Sequence, residues 1–555
     1  MSSRPKRLFA AVCGLFLILT AVAAAAAEGT APTPPMGWND WAHYQCNFTG
    51  QTIVANAQAL VKTGLAARGY NTVTIDDCWM TRDRDAQGNL QADPERFPQG
   101  IKPVADAVHA LGLKFGIYED AGYLTCGKFA GSGTPKGGGK DHFLADAKLF
   151  ASWGVDFLKL DGCNLYIPKS QTMNQAYEVA YKAQRDALRQ IDRPIVFSES
   201  APAYFVGDPD WYDVLSWVRS YGQLWREGDD IGNYDAKDPN HPRFDSVLWN
   251  YSYHLPIGRF QTPNNWNDAD FIIGGDPGLS TAETRSQLAL WSMMASPLIL
   301  SSDVASLSPQ SLSILGNQDV IAVDQDALGK AANLLRRGAE LDVLIKPLSS
   351  GAYAVAVFNH GGGPATADLR PTDLGFSGSP CTLQVQDLWT GKASSQSAGL
   401  SAQLASHDTA IWKVTPASDC GTAERQGTIT RIIPEGPDAT QTPWEYTRCL
   451  SATAKAEKCT GKPNETWQVL EDGRLRSGDR CLAASGYQVE TAACGTAASS
   501  YWRYDILGRL INRETGLCLT GGSYGDLSLT KCEHNPPSQI WSLPQPMTAT
   551  QHAHR

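Results

Sequence analysis

From about residue 30 to 330, short apolar runs alternate with longer stretches whose apolar residues recur at helical spacing. The runs include Val73–Ile75, Lys114–Ile117, Val155–Leu160, Pro194–Phe197 and Pro297–Leu300, and the helical stretches include Ile101–Leu111 and Gln171–Ile191. Repeated βα units over this length predict a (β/α)8 TIM barrel. An open doubly wound sheet is the alternative, but no Gly-rich phosphate fingerprint follows the first strand. From about 335 to 416 the pattern becomes the period-two alternation of Leu341–Ile345 and Tyr353–Val357, which predicts an antiparallel β-sandwich. Residues 417–427 read as a linker, and a threefold repeat fills the remainder.

The N-terminus changes the picture of where the chain works. Arg4, Lys6 and Arg7 precede an apolar stretch from Leu8 to Ala27 that ends in small residues, the pattern of an export signal over 1–27. Twenty apolar residues also suffice for a membrane anchor, but the alanine-rich end favours cleavage. Loss of Cys13 with the signal leaves 12 of the 13 cysteines, an even number suited to an oxidising compartment. No pair has CxxC spacing, so disulfides rather than a zinc site are expected. The expected location is secreted, extracellular or periplasmic, with no membrane partner once the signal is removed. The 57 acidic against 47 basic residues, with no long basic run, exclude a nucleic-acid partner.

In the C-terminal repeat, Arg448-Cys449-Leu450, Arg480-Cys481-Leu482 and Leu517-Cys518-Leu519 are each followed by a second cysteine (Cys459, Cys494, Cys532) and then a tryptophan (Trp467, Trp502, Trp541). Repeats this short must close on one another. The pattern resembles the ricin-type β-trefoil, a carbohydrate-binding module, which implies polysaccharide or mucin as a candidate partner. Only Gln539-Ile540-Trp541 keeps that family's Gln-x-Trp. Its sugar-binding Asp is replaced in all three repeats, by Ser451, Ala483 and Thr520, so weak or no sugar binding is expected.

Three predicted strand ends in the barrel region carry carboxylates: Asp76-Asp77, Asp161 and, past Trp225-Arg226, Asp230. A lone Asp at such a position is usually a cap or a solvated charge. Several together, interleaved with Trp38, Trp41, Trp79 and Tyr118, suit hydrolysis of a glycosidic bond by two carboxylates. The specific motifs go further. Met36-Gly37-Trp38, Ile75-Asp76-Asp77-Cys78-Trp79-Met80, Gly116-Ile117-Tyr118, Leu158-Lys159-Leu160-Asp161-Gly162-Cys163 and Trp266-Asn267-Asp268 resemble glycoside hydrolase family 27, the α-galactosidases and α-N-acetylgalactosaminidases.

The resemblance implies a layout of signal 1–27, catalytic barrel 28–332, sandwich 333–416, linker 417–427, trefoil 428–545 and tail 546–555. It also implies roles: Asp161 as nucleophile and Asp230 as acid/base. Asp76, Asp77, Lys159, Trp38, Tyr118, Tyr204 and Arg226 would contact the sugar. The expected disulfides are Cys46–Cys78 and Cys126–Cys163, which the resemblance implies, together with Cys381–Cys420, Cys449–Cys459, Cys481–Cys494 and Cys518–Cys532. Neither a metal nor an organic cofactor is required. Lys159 is expected to keep Asp161 ionised, and burial or the neighbouring Asp229 to raise the pKa of Asp230.

The segment Phe197-Ser198-Glu199-Ser200-Ala201-Pro202-Ala203-Tyr204 bears on which sugar is cleaved. In the family, Glu and Leu at two positions here crowd the 2-substituent in α-galactosidases, whereas Ser and Ala admit a 2-acetamido group. Ser200 and Ala203 fall on those positions, which implies an α-N-acetylgalactosaminidase. A one-residue slip would put Glu199 there and return an α-galactosidase, and a barrel that has lost catalysis is the remote third reading. Asn264-Asn265, before Trp266, is expected beside the cleft, and the glycine-rich stretch 127–140 is expected to be a mobile loop at the barrel mouth.

Overall fold

A computed structural model describes residues 30–432, 447–522, 525–534 and 536–547. The expected export signal lies outside them. Eight parallel strands form the first sheet: β1 (Met36–Asn39), β2 (Thr72–Ile75), β3 (Lys114–Asp120), β4 (Phe157–Asp161), β5 (Val196–Glu199), β6 (Leu224–Arg226), β7 (Trp266–Asp268) and β8 (Leu298–Leu300). From β1 to β7 each strand pairs with its sequence neighbour, β1 also pairs with β8, and a parallel bridge between Ile272 and Leu300 closes the ring. Helices follow the strands, among them Lys102–Ala110, Met173–Leu188 and Thr281–Met294. The latter two start at capping boxes, Thr172 with Gln175 and Ser280 with Glu283, which satisfy N–H groups that the first helical turn leaves unpaired. This is the (β/α)8 barrel, and it places the C-terminal ends of β2, β4 and β6 on one face.

The sandwich has a six-stranded antiparallel sheet, built on β9 (Asn333–Arg337), β10 (Leu341–Pro347), β11 (Tyr353–Asn359) and β16 (Thr409–Pro416), and a facing two-stranded pair. β11 is buried throughout because its two faces serve different cores. Tyr353, Val355 and Val357 pack inside the sandwich, whereas Ala354, Ala356 and Phe358 join the barrel core. Two alanines on the barrel side let the helix Thr281–Met294 approach closely.

The trefoil follows the threefold pattern of its sequence. In every repeat the tryptophan indole N–H donates to the carbonyl of the leucine in its own Cys-Leu: Trp467 to Leu450 at 2.7 Å, Trp502 to Leu482 at 3.0 Å and Trp541 to Leu519 at 3.0 Å. The three rings meet in one core. The structure contains the six disulfides Cys46–Cys78, Cys126–Cys163, Cys381–Cys420, Cys449–Cys459, Cys481–Cys494 and Cys518–Cys532. No helix among the described residues is long and apolar enough to cross a membrane.

The stretch expected to be a linker is built into the packing. Ala423 is buried in the sandwich core, and Gln426–Thr428 pairs with Thr466–Val469 of the trefoil. Beyond the trefoil, Gln545 exchanges hydrogen bonds with Asn333 at 2.6 and 2.9 Å, and Met547, expected in a tail, is buried in the sandwich core. Truncation at residue 420 therefore uncovers sandwich core. Burial of a methionine side chain contributes about 1.5–3 kcal/mol, so the shortened chain should melt several degrees lower while retaining hydrolysis of small substrates. Calorimetry and a nitrophenyl-sugar assay on the truncated protein check both halves.

Candidate active site

Strand ends supply the chemistry. Asp76 follows β2 and is held from three directions. Its backbone N–H donates to Asp40 Oδ1 at 2.8 Å, and its Oδ2 accepts from Asn39 and from the Lys159 ammonium, each at 2.7 Å. Asp77 accepts the Gly127 N–H at 2.7 Å. Lys159, on β4, lies 5.2 Å from the Tyr118 ring centroid and 5.0 Å from that of Phe271. Its neighbouring carboxylates, Asp76 first, outweigh burial and keep it charged.

Asp161 ends β4, two residues from Lys159 and on the same face. It accepts hydrogen bonds from the Tyr204 hydroxyl, from Tyr118 at 3.3 Å and from the Gly162 N–H at 3.1 Å. The glycine matters here: a Cβ on Gly162 would lie 2.8 Å from the Tyr177 ring and 3.2 Å from Tyr204. Asp230 projects from the loop after β6 with its side chain 78% exposed, and Arg226 Nη2 donates to it at 3.1 Å.

The two carboxyls titrate against the expectation from sequence. Burial pushes Asp161 above the usual carboxylate range despite Lys159 and Tyr204, with Asp230 adding to the push. Asp230 keeps an open face to water; the protein around its other side desolvates it in the same direction, but Arg226 and Lys159 prevail and hold it below that range. Arg226, buried four residues earlier at the end of β6, is the group the expectation left out.

Trp38 and Tyr118 are almost fully buried, so they form the floor of the pocket rather than an open wall, and the Trp38 indole donates to Ser302 O at 2.9 Å. Trp79 is buried behind them, donating to Tyr118 O at 2.8 Å. In the loop after β5, Tyr204 meets Asp161, and the Ala203 N–H donates to Ser200 O at 3.2 Å, folding the turn. Ser200, the first residue past β5, is buried and its N–H donates to Leu160 O at 3.1 Å, and Ser198 before it faces the barrel interior with Lys159 and Arg226. Glu199 faces the other way. Its carboxyl is fully buried and packed on Gly222, where a Cβ would come within 2.3 Å of Oε1; burial raises its pKa, against the opposing field of Arg185.

Two expectations move. Asn264-Asn265 precedes β7, at the end of the barrel opposite Asp76, Asp161 and Asp230, where Asn265 bonds Arg219 O and Gly222 O, each at 3.0 Å. In the glycine-rich stretch, Phe129–Gly133 is buried, and a Cβ on Gly133 would sit 1.9 Å from Ala121 O; only the segment around 135–140 is exposed. Sequence reading also missed Asp120, at the end of β3. It accepts the N–H groups of Gly122 at 2.6 Å and Cys163 at 3.0 Å, the latter two residues past Asp161. A carboxylate at a fourth strand end was the available signal.

Comparison with known proteins matches residues 33–326 to the family described as Alpha galactosidase A. Residues 338–414 match the Alpha galactosidase C-terminal beta sandwich domain, and 441–541 the Ricin-type beta-trefoil lectin domain. The chain is 36% identical over 525 residues to Alpha-galactosidase A of Aspergillus niger, covering 92% of each chain. It is 38% identical over 392 residues to the Alpha-N-acetylgalactosaminidase of Gallus gallus, covering 66% of this chain and 88% of the relative. The crystal structure of α-galactosidase I from Mortierella vinacea superposes with a TM-score of 0.61 at 31% identity, covering 70% of this chain and 98% of that one.

Burial also sets how stability depends on pH. Asp40, Asp77, Glu119, Asp120, Asp270 and Asp324 are all raised above the usual carboxyl range, chiefly by burial, and Asp268 is pushed up to about 7. In mildly acidic solution these groups hold protons in the folded chain that the unfolded chain has released. Their contribution to stability is therefore greatest on the acid side and declines as pH rises through the folded values. The melting temperature should fall between pH 5 and pH 8, and Asp268→Asn should make the fall shallower. A melting temperature that rises over that interval would show that other groups dominate.

Proposed function

The chain belongs to the Alpha galactosidase A family of glycoside hydrolases, and we propose that its own reaction is removal of terminal α-linked N-acetylgalactosamine from glycans with retention of configuration. The observation that carries the choice of sugar is the register of β5. Glu199 is buried toward Gly222 and Arg185, whereas Ser198 on the same strand faces the barrel interior, and Ser200 stands two residues beyond it. With Glu199 turned away, Ser200 is left to hydrogen-bond the acetamide, and Ala203 leaves space for its methyl.

In this reading Asp161 attacks the anomeric carbon as Asp230 protonates the departing oxygen, giving a glycosyl ester on Asp161. Water, deprotonated by Asp230, then releases the sugar. Asp76, Asp77 and Lys159 would bind the galacto-configured hydroxyls, with Arg226 beside the acid/base and Tyr118 and Tyr204 flanking the nucleophile. A sugar ring over Asp230 replaces water on its exposed face, and that desolvation raises its pKa toward the protonated form the first step needs. The same shielding leaves Lys159 and Tyr204 as the close partners favouring ionised Asp161.

A second reading, α-galactosidase, is favoured by the Aspergillus relatives, which carry that name over 92% of this chain. The disulfides suit an extracellular setting. Sugar binding by the trefoil is the weaker part of the reading. At the third repeat Thr520 is already engaged, by Thr530 at 2.7 Å and by the Gln539 amide at 3.2 Å.

Hydrolysis of nitrophenyl α-N-acetylgalactosaminide should exceed that of the α-galactoside, and a reversed preference would select the second reading. Asp161→Ala should abolish turnover on both. Ser200→Glu with Ala203→Leu should shift the ratio of efficiencies toward galactose by roughly 10–200-fold, the range that one added or lost group in a pocket supplies. A ratio that stays put would place the specificity contact elsewhere.

A further inference from the structure

We propose that Asp270 is a positioning residue that fixes the loop carrying Asp230 and thereby aims the acid/base, without itself touching the sugar. The proposal rests on Asp230 being the acid/base.

Asp270 lies two residues beyond β7 and is 2% exposed. Its φ is +73°, a left-handed conformation that side-chain-bearing residues other than Asn and Asp seldom adopt. The backbone is held in it from two sides: its N–H donates to Asp268 Oδ1 at 2.9 Å, and its carbonyl accepts the Trp291 indole N–H at 2.8 Å. So placed, the carboxylate divides between two partners on the neighbouring loop. Oδ2 accepts the N–H of Ile231, the residue after Asp230, at 2.7 Å. Oδ1 lies 2.9 Å from Arg226 Nη1.

Arg226 extends that grip. Its Nη2 donates to Asp229 O at 2.8 Å, Gly228 O at 3.3 Å and Asp230 Oδ1 at 3.1 Å. One buried carboxylate thus holds the 228–231 loop directly at its exit and, through Arg226, along its length. Asp230 itself reaches into solvent, so its aim depends on the backbone that Asp270 fixes. The charged groups around Asp230 are Arg226 on β6, Lys159 and Asp161 on β4, the adjacent Asp229, and Asp270.

The test uses the full chain, the sugar that the native protein cleaves, and two aglycones: dinitrophenol, which leaves with little protonation, and benzyl alcohol, which needs it. Asp270→Ala should lose roughly 10²-fold in kcat/KM on the benzyl glycoside, the lower range for a general acid, with a much smaller loss on the dinitrophenyl glycoside. Asp270→Asn keeps an acceptor for the Ile231 N–H and should retain most benzyl activity. Equal losses by Asp270→Ala on both aglycones, or a benzyl loss in Asp270→Asn as large as in Asp270→Ala, would overturn the proposal. Asp230→Ala separates the two possible failures. If it discriminates between aglycones and Asp270→Ala does not, only the positioning role falls; if it does not discriminate, the acid/base reading falls and the proposal with it.

Discussion

Two buried cations hold the catalytic face together. Lys159 and Arg226 stand among Asp76, Asp161, Asp230, Asp268 and Asp270, and each is kept charged by the carboxylates around it. Removal of either would leave like charges facing one another in a poorly solvated space, which costs several kcal/mol where no partner remains. The cations also assign character to the two reactive groups. Arg226 bridges Asp230 and Asp270, while Lys159 is bound to Asp76 and only nearby to Asp161. A nucleophile needs modest stabilisation of its charge, because too tight an ion pair blunts its attack. The nearby lysine supplies that.

A second regularity follows from barrel geometry. Where a strand ends, the backbone N–H groups of the next loop have lost their ladder partners and need acceptors. Here buried aspartates on adjacent strand ends take that role. Asp40, after β1, accepts the Asp76 N–H; Asp120, on β3, accepts the Cys163 N–H past Asp161; Asp270, after β7, accepts the Ile231 N–H past Asp230. Each functional loop is thereby tied to the strand beside it, so the eight-stranded ring transmits its rigidity to the pocket. The cost is that several of these acids lie buried beyond easy neutralisation, and stability declines as they ionise.

Much of this was legible in the sequence because the signals were local. The apolar runs of β2 to β5 and β8, the β11 alternation and the cysteine-tryptophan repeat each act within a few residues, and the motif around Asp161 is contiguous. β1, β6 and β7 carry polar residues, Asn39, Arg226, Asn267 and Asp268, that break the apolar run, and were visible only through the motifs they carry. Asp270 escaped because its partners lie about 40 residues away and one of them is a backbone N–H. The titration of Asp230 was misjudged for a related reason: its neighbour in sequence, Asp229, was weighed, while the guanidinium folded back beneath it was not.

The docking of the trefoil was also invisible to composition, and it bears on how specificity can arise. Three domains meet where Arg337 pairs with Asp342, Tyr251 of the barrel donates to Asp342 at 2.9 Å, and Arg337 reaches Thr447 of the trefoil at 3.2 Å. A second contact comes from Arg259, in the turn that leads into β7, which donates to Ile506 O at 2.8 Å and Leu507 O at 3.0 Å. Turns that enter strands lie on the barrel face opposite the pocket. The trefoil is therefore packed behind the catalytic face, and its hydrogen bonds end far from Asp161 and Asp230. It can tether the enzyme to a surface or stabilise it, but it cannot wall the pocket. The discrimination between sugars must then come from the loops of the barrel itself, and among these the turn from Ser200 to Tyr204 is the one bonded to Asp161.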